Sequence, residues 1–406
     1  MHFKFFTQPI FKKKKIVKSR CVICRNTRSK DQDLPYVCIE ASIDVPDNDL
    51  YCSQIPIQDT DDTTTLLPAS RQDNVFFRHK KKCGLGLALL IILIGLSLAT
   101  FLIYFHGRTK LHVFEFNVWG MPGGIGGCKY KKERMEALAD MIKSRTPYFD
   151  IFLLTELWMQ ADHQLLADAA KNVSLHMTEF RQLASKSCDG RVLITKCSGL
   201  AIISAYPLKE VEFHQYTWKG QLWDLEPLAG KGVGRVTIEP IPGLKVDVFV
   251  THMIADGSSM YNETWYRIKQ AEELVERYLK TSTADAVILG GDFNAPPILE
   301  PGTPYCIVQK FMSNACEESF HQLKEFATYG NQRNSFSYMY DPVTYDYIFH
   351  KSMSPGTITW ANWFELPILH TNISQAQKEV FITLSDHEPV ISTIYVKKFS
   401  QFWPFI

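Results

Sequence analysis

Residues Gly84 to Phe105 run for 22 positions without a charged side chain. At 1.5 Å per helical residue the stretch reaches about 33 Å, enough to cross a hydrocarbon core of about 30 Å. In lipid the backbone must satisfy its own polar groups, and a helix does so. A buried core helix rarely sustains so long a run without a polar residue, and a cleavable leader would neither start this far in nor extend so far. The segment therefore sets the domain plan: a basic region at 1–83, a single transmembrane helix at 84–105, a large domain at 111–398 and an aromatic tail at 399–406. Arg78, Lys80, Lys81 and Lys82 precede the span, whereas Arg108 and Lys110 follow it. That excess predicts a cytoplasmic N-terminus. The sequons Asn172-Val173-Ser174, Asn262-Glu263-Thr264 and Asn372-Ile373-Ser374 all lie beyond the span. Together these features describe a single-pass type II signal-anchor glycoprotein whose large domain is extracellular or lumenal.

Charge divides at the same boundary. Residues 1–82 hold 15 Lys and Arg against 10 Asp and Glu, while the remainder holds 29 against 33. The outer domain is thus slightly acidic, and no nucleic-acid partner is expected. Residues 41–74 are rich in Asp, Thr, Ser and Gln with little periodic apolar content, which predicts disorder. The run Lys12 to Lys15, with Phe3, Phe5, Phe6 and Phe11 around it, is either a solvated tail or a contact for anionic lipid. Among the outer cysteines, Cys188 with Cys197 and Cys306 with Cys316 are candidate local disulfides, leaving Cys128 over. Cys21-x-x-Cys24 lacks the second half of a zinc site and reads as free thiols.

The outer domain alternates strand and helix. Residues 111–118 alternate apolar and polar, the pattern of a half-buried strand. Met135, Leu138, Met141 and Ile142 sit at helical spacing within 132–145. Residues 149–155 form a continuous apolar strand, and a polar helix follows at 160–171. Strands are expected at 199–205, 233–239 and 245–251, a long helix at 263–281, and strands at 286–290, 343–349 and 389–396. The order suggests packed sheets covered by helices.

Polar residues of a restricted kind fall where these strands end. They are Asn117, Glu156, His252, Asp292 with Asn294, Asp346, and Asp386 with His387. A charged group at the end of a buried strand is costly unless paired or ligated. Carboxylate and amide oxygens suit a hard cation such as Mg²⁺, Mn²⁺ or Ca²⁺, and histidine is the natural proton acceptor near neutral pH. Metal-assisted attack of water on a phosphate ester is the matching reaction class. No Gly-x-Ser-x-Gly elbow is present, which disfavours a serine hydrolase.

In this order, the set resembles the deoxyribonuclease I-like superfamily of endonucleases, exonucleases and phosphatases, over about residues 111–397. Phe116-Asn117-Val118-Trp119-Gly120-Met121-Pro122 and Glu156-Leu157-Trp158 are similar to the neutral sphingomyelinases. Thr251-His252-Met253-Ile254-Ala255-Asp256 is similar to the bacterial secreted sphingomyelinases, and the Gly230-Lys231-Gly232 stretch also matches this group. The resemblance implies an α/β fold, a four-layer α/β/β/α sandwich. It implies Mg²⁺, with Mn²⁺ as a substitute, held by Glu156 with Asn117 beside it and Asp386 in support. It makes His387 the general base, oriented by Asp346. Asp292 and Asn294 would orient phosphate and water, and His252 would stabilise the charged transition state. Two positions depart from the pattern: Ile254 stands where many animal members have a second histidine, and Glu226 stands where some carry aspartate.

The implied activity is phospholipase C-type hydrolysis of membrane sphingomyelin to ceramide and phosphocholine. The rivals are a nuclease or phosphoesterase on the same scaffold, and a catalytically silent cell-surface binding protein. For an enzyme that must approach a lipid bilayer, Trp360 to Phe364 and the tail residues Phe399, Phe402, Trp403 and Phe405 are candidate interfacial contacts; the other reading packs Trp360 and Trp363 in the core and lays the tail over a sheet.

Overall fold

A computed structural model of the chain describes residues 91–95, 97, 108–122, 127–190, 196–220, 228–255, 263–315, 327–364, 369–375 and 378–398. All belong to one compact unit, Arg78–Ile406. The basic N-terminal region and the aromatic tail lie outside the described residues. Of the expected span, residues 91–95 and 97 are helical and exposed, with Ile91 61% and Leu93 61% accessible. Among the described residues no helix is long and apolar enough to cross a membrane.

Two six-stranded sheets make the body. The first runs β11 (Ile358–Phe364), β14 (Val390–Lys397), β1 (Arg108–Asn117), β2 (Ile151–Thr155), β4 (Ala201–Ser204), β3 (His176–Met177). The second runs β5 (Lys209–Gln215), β6 (Gly232–Ile241), β7 (Leu244–His252), β8 (Ala286–Asp292), β10 (Asp346–Ser352), β9 (Ser313–Asn314). A separate hairpin pairs β12 (His370–Gln375) with β13 (Lys378–Thr383). Leu111 and Val113 on β1 pack with Ile151, Leu153, Val246, Val248, Ile288 and Ile348 in the cluster between the sheets. Phe114 and Phe116, on the opposite face of β1, meet Met135, Leu138, Ile142 and Leu166 of α1 (Lys131–Ser144) and α2 (Gln160–Asn172). A third cluster seats Ala271 of α3 (Glu263–Glu273), Leu274, Val275 and Leu279 of the π-helical turn Leu274–Leu279, and Tyr305 of α4 (Pro304–Gln309) on Phe249, Leu289 and Phe349. The order of layers is therefore helix, sheet, sheet, helix.

That layering revises the reading of β1. Its alternation predicted one solvated face, but both faces are buried because α1 and α2 cover the outer one. Each buried Phe or Leu there contributes about 1.5–3 kcal/mol through burial. Period-2 alternation then sends Glu115 and Asn117, like Leu111 and Val113, towards the space between the sheets. Strand β10 begins at Asp346, later than the 343–349 pattern suggested. The segment Trp360 to Phe364, a candidate interfacial contact, belongs to edge strand β11, paired with β14 from Ile358↔Val396 to Phe364↔Ile391. Strands β5, β12 and β13 escape the apolar pattern because they are polar edge or hairpin strands. Cys188 and Cys197 form a disulfide, buried against Trp158 and Ala229. Cys306 is a free buried thiol, so its expected pairing is not made, and Cys316 lies outside the described residues. Cys128 is also free.

Candidate active site

Two parallel strand pairs, β1 with β2 and β7 with β8, end together. The register aligns Asn117 with Thr155, immediately before Glu156, and His252 with Asp292. Antiparallel β10 adds Asp346 opposite Asp292. The polar residues at strand ends thus converge on one end of the sandwich, where the apolar clusters stop.

Asp292 is the hub. Its Oδ2 accepts a hydrogen bond from Asn117 Nδ2 at 3.0 Å, and its Oδ1 accepts from the Asn294 backbone N–H at 2.8 Å. The same Oδ2 lies 3.7 Å from His252 Nε2 and 3.9 Å from His387 Nε2. His387 Nδ1 donates to Asp346 Oδ2 at 2.7 Å. That bond fixes the ring and turns Nε2 toward Asp292. Among the described residues, Asp292, Asp346 and His387 bring ligand-type atoms within 4.8 Å of one another. The short Nδ1 bond makes Asp346 the orienting partner of an imidazole in this geometry.

The electrostatics follow from burial. Desolvation raises the Glu156 carboxyl, opposed by Lys231. It also lifts Asp292 to about 6 with help from the Asp346 charge, and Asp386 to about 6. Burial alone would push His387 down, but the Asp346, Asp292 and Asp386 carboxylates hold it well above the usual imidazole range. His252 goes the other way: burial, then Lys231 and His387, keep it well below that range. His252 Nε2 instead accepts from Lys231 Nζ at 3.1 Å, and Lys231 also donates to the Met253 carbonyl at 2.9 Å. Lys231 Nζ thus stands against His252, the residue to which the resemblance assigned stabilisation of the charged transition state.

The donor set fits a hard divalent cation. Glu156 Oε2 is buried without a partner and carboxylate oxygens dominate the site. Carboxylates forced towards their neutral forms by burial are the groups a cation returns to charge. Asn117 presents its amide N–H to Asp292, while its Oδ1 accepts from the Trp119 N–H at 2.9 Å. Asn294 donates its side-chain amide to Met253 O at 3.0 Å.

Tight backbone holds these groups. Glu156, Trp119 and Asn294 take left-handed φ values of 58°, 48° and 47°. Such conformations cost energy and persist where surroundings enforce them. Here Gly120 N–H donates to the Glu156 carbonyl at 3.0 Å, and a Cβ on Gly120 would lie 2.5 Å from that oxygen.

Two contributors were not legible as site residues. Glu115 is fully buried with both oxygens unpartnered; its place two positions before Asn117, on the same face of β1, was the available signal. Arg134, also fully buried, donates to the carbonyls of Lys129, Val118, Trp119 and Leu384 and to Cys128 Sγ. It binds the loops after β1 and before β14 to α1. As one basic residue in a helix pattern it carried no signal of its own. Glu226 and Asp256 lie outside the described residues.

The model of the endonuclease/exonuclease/phosphatase family matches residues 115–387 of the 406-residue chain. Sphingomyelin phosphodiesterase 2 of Mus musculus is 26% identical over 304 residues, 71% of this chain and 66% of that protein. The chain thus spans just under two thirds of that relative's length. The crystal structure of SmcL is similar with a TM-score of 0.54 and 20% identity, covering 71% of this chain and 99% of that one. A beta toxin from Staphylococcus aureus, solved with bound magnesium ions, aligns with a TM-score of 0.53 and 19% identity over 71% of this chain and all of its own. At these identities the structures attest the fold. The matched region opens on β1 and closes on His387, enclosing every residue of the hub described above, and the chain belongs to the endonuclease/exonuclease/phosphatase family.

Proposed function

We propose that the protein is a membrane-anchored, divalent-metal-dependent phosphodiesterase that hydrolyses sphingomyelin to ceramide and phosphocholine. The observation that carries the chemistry is the Asp346–His387 pair at 2.7 Å, with His387 Nε2 facing Asp292 across 3.9 Å. Similarity to sphingomyelin phosphodiesterase 2 supports the substrate. The anchor is the 84–105 segment, and the type II orientation rests on flanking charge and sequons.

The chain's own groups divide the work. His387 Nε2 takes a proton from the attacking water while Nδ1 stays bonded to Asp346. Asp292, locked by Asn117 and the Asn294 N–H, orients that water. Lys231, with the neutral His252 beside it, faces the phosphate oxygens and offsets charge that develops on them. Glu156 and Asp386, with Asn117 alongside, would hold Mg²⁺ or Mn²⁺. When bound, the cation neutralises the surrounding carboxylates and polarises a phosphate oxygen. A cation held by Asp386 would offset one of the charges that raise His387, while the Asp346 bond keeps the ring in place.

The test is hydrolysis by the full chain of labelled sphingomyelin in mixed micelles, with DNA and inositol phosphates as parallel substrates. Sphingomyelin should be cleaved, chelator should abolish cleavage and Mg²⁺ should restore it. His387→Ala should reduce turnover by about 10²–10⁴, and Glu156→Gln should lose activity while remaining folded. Cleavage of DNA in place of sphingomyelin would establish the nuclease reading. Cleavage of none of these substrates would favour a binding protein.

A further inference from the structure

Beside His387 the chain gathers more aromatic surface than proton transfer requires. The Tyr329 ring lies 5.1 Å from the His387 ring, 5.2 Å from Tyr340 and 5.9 Å from Tyr345, centroid to centroid. These rings are not core. Tyr340 is 56% exposed, and Tyr329 and Tyr345 are half-buried.

The frame beneath them is fixed. The Tyr329 backbone exchanges two 2.9 Å hydrogen bonds with Val343, and it bridges His387 on its other side. Ser337 Oγ donates to the Asp386 carbonyl at 2.7 Å and accepts from Gly330 N–H at 3.2 Å. Tyr340 N–H donates to Ser337 O at 3.0 Å, closing the turn that carries it. Gly330 has φ +74°, and a Cβ there would run into the Asp341 carbonyl. A bulkier residue would push the Tyr340 turn away from Tyr329.

Stereochemistry says which part of a substrate meets these rings. In-line displacement puts the departing oxygen opposite the attacking water. His387 is on the water side, so its neighbours meet a phosphate substituent that is retained, not the alcohol that leaves. For a phospholipase C-type reaction on a choline lipid, the retained substituent carries a trimethylammonium group. That group has no N–H to donate, so hydrogen bonding cannot recognise it. Aromatic faces within about 6 Å can. Burial, then the Asp386 charge, raises the Tyr329 phenol, so the ring stays neutral.

We propose that Tyr329, Tyr340 and Tyr345 form the head-group subsite, an aromatic cage for a trimethylammonium group. The proposal rests on the sphingomyelinase reading above and adds to it the source of head-group selectivity.

The experiment has two arms, both on the full chain. In mixed Triton X-100 micelles, kcat/KM is measured on sphingomyelin and on ceramide phosphoethanolamine, whose primary ammonium can be read by hydrogen bonds. Tyr340→Leu should lower the ratio of the two values by about three- to thirtyfold, the span of a cation–π contribution. Tyr340→Phe keeps the ring face and should keep the ratio. In the second arm, tyrosine fluorescence is titrated with free phosphocholine and with phosphoethanolamine. Phosphocholine alone should saturate, and Tyr340→Leu should remove the response. Equal losses on both lipids, or equal responses to both soluble compounds, would overturn the cage while leaving sphingomyelin hydrolysis in place. Wild-type protein that binds phosphocholine through Tyr340 yet cleaves neither lipid would keep the cage and remove the sphingomyelinase reading.

Discussion

Glu115 shows what the inter-sheet space does to a single side chain. Neither of its oxygens has a partner, and the Gly290 position is so close that a Cβ there would lie 3.2 Å from Glu115 Cγ. Burial, then the charges of Asp346 and Asp292, raises its carboxyl well above the usual range. An acid with a raised folded-state pKa adds stability that is complete below its unfolded pKa and is lost as pH rises through the folded value. Glu115→Gln keeps size and neutrality without that liability. Its stability relative to wild type should therefore grow as pH rises from 5 to 9. Urea midpoints measured across that range with chelator present check it, and a constant difference would mean that Glu115 does not titrate in the folded protein.

At the scale of elements, Arg134 ties α1 to the site. Its guanidinium reaches Val118 O at 3.0 Å, Trp119 O at 3.0 Å, Leu384 O at 2.9 Å and Lys129 O at 2.9 Å, and it stacks over the Trp119 ring at 4.8 Å. A planar fork can serve acceptors in several directions, and a lysine ammonium cannot reproduce that geometry. Arg134→Lys strands buried carbonyls at about 1–3 kcal/mol each. A total loss of about 2–4 kcal/mol is expected in denaturant unfolding, with Mg²⁺-dependent activity falling in parallel because the loops after Asn117 and around Asp386 loosen. Unchanged stability would mean that water replaces the fork.

For the whole molecule, glycosylation reports topology. Asn172, at the end of α2, and Asn372, on β12, are both exposed, so neither sequon is blocked by burial. Asn262 lies outside the described residues. If the large domain faces the lumen or the exterior, glycosidase should shift the mobility of the expressed protein. Asn→Gln at 172, 262 and 372 together should abolish the shift. An unshifted protein, with its outer domain cleaved by protease only after membrane permeabilisation of whole cells, would argue for the opposite orientation.

Local chemistry was legible in the sequence because it is written in consecutive residues. Apolar runs such as Ala286 to Leu289 marked strands, and the polar residues that ended them marked the site. The order of those residues was enough to suggest the family and the helix–sheet–sheet–helix layering. Proximity was another matter. Asn117 and Asp292 touch across 175 positions, and Asp346 and His387 across 41; strand pairing and register bring them together, and these depend on how the whole chain buries its apolar faces. The same global burial decided that β1 has two covered faces, that Trp360 to Phe364 lies in a sheet, and that Tyr329 rests against His387. Periodicity reports which face of an element is apolar. Only the assembled layers determine what that face meets, and so the charge state and reach of every group at the site.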